Sequence, residues 1–223
     1  MAVIWCRRDF SAMTLSDAAS IVLGVSFRER VENIPDGKIL VVQPRDICGN
    51  GDVAIESTAR ISQLSCPSEL FLQKGDVLLQ PRGTSISLGV VRDLPGTAVA
   101  AAPILILRCT QSLLDPEFLA QYLLMTSVQA QLRSSAAGTY SLQIPRSAIE
   151  GLPIELPPLS SQRKLVELAS MERLEADLSS RLVQKRGQLF ELAVRQLSLK
   201  DRGRKTAAGP HSDSAGARTP AES

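Results

Sequence analysis

At 223 residues, 44% hydrophobic but only 4% aromatic, the chain can fill one aliphatic core and carry an appendage, and no apolar run approaches the roughly 18 residues of a membrane span. Its net charge of +2 is unevenly placed: residues 1–158 hold 13 Lys/Arg against 15 Asp/Glu, and residues 159–223 hold 12 against 8. The acidic balance of the first part excludes a generic nucleic-acid sponge, so any DNA contact there must be a local patch.

The opening "MAVIWCRRDF" lacks the long apolar stretch of a secretory signal, and a cytoplasmic protein is expected. Short apolar runs punctuated by Gly, Pro, Asn or Asp then predict strands: "KILVVQ" (38–43), "DVAIES" (52–57), "GDVLLQ" (75–80), "SLGVVR" (87–92), "TAVAAA" (97–102) and "PILILRC" (103–109). "CGNGD" (48–52) and "LPGT" (94–97) read as turns in which glycine supplies positive φ. In "LDPEFLAQYLL", Asp115 is placed to cap a helix with Pro116 at its first position, and Phe118, Leu119, Tyr122 and Leu123 share a buried face. "SVQAQLRSSAA" predicts a second short helix from Ser127, with Gly138 as its stop. "LPIEL" (152–156) returns as a strand before Pro157-Pro158.

From Ser160 to about Leu199 only Gly187 interrupts helical chemistry, and it costs about 1 kcal/mol. Steps of three and four give a seam of Leu168, Met171, Glu175, Leu178, Leu182, Lys185, Leu189, Leu192 and Gln196, with Leu165 and Leu174 alongside. An isolated helix would leave these leucines in water, so it requires a partner. The small polar residues from Asp201 predict a disordered tail. The fold class is therefore α+β: a β-rich mixed domain (1–158), one long coiled-coil-type helix (159–200) and a tail (201–223).

Catalytic constellations are missing from this reading. The sole histidine, His211, lies in the tail, which excludes Ser-His and Cys-His nucleophiles in the folded part. There is no GxxxxGK[ST] loop and no GxGxxG after a strand; "CGNGD" leads into a strand, not a helix, and reads as a hairpin turn. Cys6, Cys48, Cys66 and Cys109 stand too far apart for a zinc site and read as reduced, small apolar residues. In "LPPLS", Leu156 and Leu159 stand where an amine-holding Asn/Asp-Pro-Pro-aromatic motif needs its polar and aromatic residues. Asp46, Asp52 and Asp76 lack a paired acid and lysine at nuclease-like spacing and read as turn acids. The chain is expected to be no enzyme, with no metal and no cofactor of its own.

"SAIEGLPIELPPLSSQRKLVELA" resembles the junction in specificity (S) subunits of type I restriction-modification systems, where a strand ending in Pro-Pro-hydrophobic is followed by Gln and a long helix. The residues concerned are Leu152, Pro153, Ile154, Leu156, Pro157, Pro158, Leu159 and Gln162. "TLSDAASIVLGVSFRERVE", "ILVVQPRDI", "LQKGDVLLQPRG" and "LDPEFLAQYLLMTSVQAQLRSSAAGTY" are similar to further family segments in the same order, covering residues 14 to about 195. The resemblance implies a target-recognition domain that reads one half of a bipartite site in double-stranded DNA. It also implies a spacer helix that docks adenine-specific methyltransferase subunits, which carry the S-adenosylmethionine chemistry, with a restriction subunit as an optional further partner. Family members carry two such domains and two helices; one of each here leads to the expectation of a homodimer with antiparallel helices, paired through Leu168, Met171, Leu178, Leu182, Leu189 and Leu192.

Base contacts do not transfer by resemblance and must come from chemistry. Arginine reads guanine, Asn and Gln read adenine, and hydroxyl and basic side chains position phosphates. Loop residues of these types are Arg28, Arg30, Gln43, Arg45, Arg82, Thr84, Thr139, Tyr140 and Arg146, with Arg82 next to Gly83 the foremost and Gly138-Thr139 second. Phe27 and Tyr140 read as packing residues in a domain so poor in aromatics, and the basic stretch 181–205 as a solvated helix end. Two functions remain open on these grounds: a DNA-reading subunit, or a truncated S-like adaptor that holds methyltransferase without reading DNA.

Overall fold

The computed structural model describes residues 12–48, 51–83, 86–136 and 142–207. It forms two units, one up to Ser170 and one from Met171. In chain order the first half contains β1 (Ala12–Thr14), α1 (Leu15–Ala18), β2 (Ala19–Leu23), β3 (Ile39–Val42), β4 (Ile47–Cys48), β5 (Asp52–Val53), β6 (Ala59–Ile61), β7 (Val77–Gln80), β8 (Arg82–Gly83) and β9 (Ser87–Val90). There follow β10 (Thr97–Ala100), β11 (Leu105–Cys109), α2 (Pro116–Leu124), α3 (Thr126–Ser134), β12 (Leu142–Gln143), α4 (Arg146–Glu150), β13 (Pro153–Glu155) and α5 (Leu159–Ala207).

The first unit is layered. An antiparallel sheet in the order β2-β11-β7-β9 lies at its centre. Because side chains alternate along a strand, Val77 and Leu79 meet α1–α4 and β13 on one side, while Leu78 and Ile106 meet Leu40, Val42 and Ala100 on the other. Those last three belong to a second sheet, β10-β3-β6, in which β10 runs parallel to β3 and β6 antiparallel. Its far face carries Val41, Val99 and Ala101, covered by Val25, Phe27, Leu64 and Phe71. Central strands buried on both faces explain why "VLL" and "LIL" read as continuous apolar runs.

Turn acids lock the loops. Asp76 is 1% exposed; its carboxylate accepts the Gln73 N–H at 2.7 Å and takes a bidentate pair from Arg108, both at 2.8 Å. Arg108 also donates to the Phe71 carbonyl. Asp46 accepts the Gln43 N–H, and the Asp115 side chain accepts from Glu117 and Phe118 at the start of α2, as its position implied. Gly75, at φ 91, supplies the left-handed turn that puts Asp76 in place.

The double-proline junction has a structural reason. Gln162, the fourth residue of α5, is fully buried. Its Oε1 accepts the Asp115 N–H, and its Nε2 donates to the Leu113 and Pro157 carbonyls, all at 2.8 Å. One amide thereby joins the start of α5 to the start of α2 and satisfies three backbone groups. Val166 also packs on the core, so the compact unit runs to Ser170 and takes in the first turns of the helix, beyond the boundary at 158.

Several expectations change. "DVAIES" is a strand only over Asp52–Val53; the chain then makes a 3-10 turn at Ile55–Ser57, which carries Ile55 into the layer between the sheets. Gly51 has the positive φ expected, 92°, whereas Gly96 does not. The second short helix starts at Thr126 and ends at Ser134; Gly138 lies outside the described residues. Helix α5 continues to Ala207 rather than stopping at 200, because no proline intervenes before Pro210 and Gly203 costs only about 1 kcal/mol. The remainder of the expected tail, 208–223, lies outside the described residues.

Candidate functional site

Of the nine candidate DNA contacts, the six among the described residues fall in three places. Arg28 and Arg30 are exposed on the loop between β2 and β3, with Phe27 tucked beneath as a packing residue. Arg45 is exposed on the turn after β3, where Asp46 lies 3.8 Å from its guanidinium. Gln43 in the same turn buries its amide nitrogen without a partner, so it does not present that donor to a ligand. Thr84, Thr139 and Tyr140 lie outside the described residues.

Arg82 and Arg146 are brought together. Strand β8 pairs antiparallel with β12, Arg82 opposite Gln143 and Gly83 opposite Leu142. The pairing continues through the Ile144 N–H to the Pro81 carbonyl at 3.0 Å. Arg82, Gln143 and Arg146 then border one cleft of about 180 Å³ whose other walls are apolar, among them Leu23, Pro103 and Ile144. The two arginines are not equivalent. Arg146 is committed internally: Nε lies 2.6 Å from Glu150, one helical turn on, and Nη2 donates to the Ile21 carbonyl at 2.7 Å. Arg82 is exposed, and its guanidinium has no partner among the described residues. Gln143 is exposed and likewise has no side-chain partner among the described residues; it was not singled out from sequence. Only its pairing opposite Arg82 draws attention to it.

A larger cleft, about 470 Å³, has the opposite character. Asp52, Glu56 and Asp93 line it, and its one arginine, Arg92, is bound to Asp52 and Glu117. The Glu117 hydrogen bond, and then the nearby carboxylate charges, hold the Arg92 guanidinium above its ordinary pKa against the opposing effect of burial. This wall repels phosphate. Among the described residues, no group of three or more His, Cys, Asp or Glu could hold a metal, and no helix is long and apolar enough to cross a membrane. Cys109 is buried, and desolvation, followed by the charges of Asp115 and Asp76, pushes its thiol up to about 12.

No family model and no curated protein matches the chain, but solved structures do. The HsdS subunit from Thermoanaerobacter tengcongensis aligns with a TM-score of 0.57 at 19% identity, over 81% of this chain and 42% of that one. A chain from a structure of complex assembly and conformational transition of the type I R-M system gives 0.62 at 20% identity, over 86% and 46%. The type I restriction-modification S subunit from M. genitalium gives 0.52 at 16%, over 78% and 42%. The fold is that of an S subunit. This chain spans less than half the length of each of the three.

In this S-subunit-like chain the long helix has two apolar stripes. Leu168, Met171, Leu178, Leu182, Leu189 and Leu192 follow one another along one face, and all are exposed. Val183, Phe190 and Val194, with Leu165, form a second stripe about 120° around the axis at 3.6 residues per turn. The first stripe was legible from steps of three and four; of the second only Leu165 was noted, because Val183, Phe190 and Val194 are fewer and more widely spaced. Helix α5 is otherwise charged, with Arg181 paired to Asp177 at 2.9 Å.

Proposed function

We propose that this chain is the sequence-specific DNA-recognition subunit of a type I restriction-modification system, non-catalytic and cytoplasmic. It reads one half of a bipartite site, and two copies pair through antiparallel α5 helices to present two recognition units to a split, palindromic target. The observation that carries this reading is the S-subunit fold extending over 86% of the chain while covering 46% of its neighbour. Two apolar stripes on one helix support two kinds of contact. The leucine seam takes the second copy, and the Val183–Phe190–Val194 stripe takes an adenine-specific methyltransferase subunit, with a restriction subunit joining through that assembly.

Light scattering on the purified protein tests the pairing. A mass of about twice 24.0 kDa is expected, falling to the monomer when Leu178, Leu182 and Leu189 are all replaced by Glu. A wild-type monomer sinks the homodimer.

A second reading, an adaptor that holds methyltransferase without reading DNA, is favoured by the acidic balance of residues 1–158 and by the internal commitment of Arg92, Arg108 and Arg146. Selection from a random duplex library separates the two, since the adaptor enriches no sequence.

A further inference from the structure

We propose that the β8–β12 ribbon is a base-reading element, in which Arg82 reads a guanine and Gln143 an adenine in neighbouring base pairs of each half-site. This rests on the DNA-reading function above and assigns part of its specificity. Arg82 and Gln143 are directly opposed across an antiparallel pair. Opposed residues project from the same face with Cβ atoms about 5 Å apart. That separation is close to the rise of about 3.4 Å per base step, so two long side chains from one rung reach adjacent steps. The major groove of B-DNA admits a two-stranded ribbon.

The residue types fit what the groove displays. An arginine fork donates to O6 and N7 of guanine, and a glutamine amide donates to N7 and accepts from N6 of adenine. Both side chains are exposed and have no partner among the described residues, in contrast to Arg92, Arg108 and Arg146, each held by an acid. The rung is also preorganised. Ile144 is buried beside it, its N–H is fixed to the Pro81 carbonyl, and the Gln80 amide donates to the Arg82 carbonyl at 2.8 Å. A backbone already ordered loses little entropy on binding.

The test uses the full-length protein and the variants Arg82→Ala, Arg82→Lys and Gln143→Leu, each checked for an unchanged thermal melt. Each is put through selection from a random duplex library, and binding to the wild-type consensus is titrated against salt. Arg82→Ala is expected to lose guanine preference at one position per half-site, by about 5- to 150-fold, and to keep the rest of the motif. Gln143→Leu is expected to do the same at an adjacent A·T pair. Arg82→Lys keeps the charge but not the fork, and is expected to relax the same guanine while leaving the salt slope unchanged.

Weaker binding with an unchanged motif and a salt slope lowered by about one would make Arg82 a phosphate contact and overturn the assignment. Preferences lost at positions that are not adjacent also overturn it. A wild-type motif that survives all three substitutions sinks this assignment while leaving the DNA-reading function intact. If the wild type enriches no sequence, that function falls and the assignment falls with it.

Discussion

Leu78, Leu79 and Leu107 in the central sheet are wholly buried, whereas Leu178, Leu182, Leu189 and Leu192 in the helix are 50–66% exposed. Burying a leucine side chain is worth roughly 1.5–3 kcal/mol. The first unit has collected that stabilisation within its own chain; on the helix it is still available to an association such as the proposed pairing. The same residue type serves folding in one region and, under that proposal, assembly in the other. The sheet has helices on one face and a second sheet on the other, while Leu178, Leu182, Leu189 and Leu192 keep half or more of their side chains exposed.

If this comparison holds, replacing Leu178, Leu182 and Leu189 with Glu produces the largest effect. Dissociation of the proposed dimer should rise by more than about 100-fold, since each lost leucine is worth more than 1 kcal/mol, while the melting of the first unit stays in place. Sedimentation equilibrium with calorimetry checks both, and a first unit that melts earlier in the triple variant breaks the comparison.

Asp76→Ala acts on the other region. It leaves the Arg108 guanidinium and the Gln73 N–H without their partner and should cost about 3–5 kcal/mol, measured by urea unfolding. Association through the helix should be unchanged wherever the fold survives. Gln162→Ala comes next, at about 2–3 kcal/mol, because three backbone groups, one buried and two part-buried, lose their hydrogen bonds at once. Gln162→Glu sharpens that figure: it keeps an acceptor for Asp115 but no donor for Leu113 and Pro157, so it should not restore stability.

The smallest effect at neutral pH concerns Cys109, whose contribution changes only in alkali. Its thiol is held up to about 12 in the folded state and ionises near 9.0 when unfolded. The unfolded chain therefore loses its proton first. The contribution is intact below pH 9 and declines as pH rises from there toward 12, by up to about 1.4 kcal/mol per unit. Cys109→Ala should flatten this part of the stability profile. Thiol labelling at neutral pH should modify exposed Cys48 well before Cys109.

The sequence was most legible where structure is local. Asp115 and Pro116 opened α2 as their chemistry requires, and the long helix and its leucine seam followed from spacing. The Pro-Pro-x-x-x-Gln junction was recognised as a pattern, but its reason, one amide holding three backbone groups from two helix starts, needed the fold. "DVAIES" was misread because Ile55 is apolar in a strand-like context, and only the space between two sheets turns it inward. Arg82 and Arg146 were both loop candidates in sequence, Arg82 favoured for the glycine beside it. The fold gave Arg146 an acid and a carbonyl, and left the Arg82 guanidinium without a partner among the described residues.

By itself, then, the sequence determined several of the strands, the Asp115 cap of α2, the long amphipathic helix and the family resemblance, all of which depend on residues a few positions apart. Only the tertiary structure decided that β10 lies parallel to β3, that β1 pairs with β13 and that Gln143 stands opposite Arg82. Strand pairing joins backbone groups far apart along the chain, and the backbone is the same at every residue. Which strands meet is settled by burial of whole faces, and no local spacing records that choice.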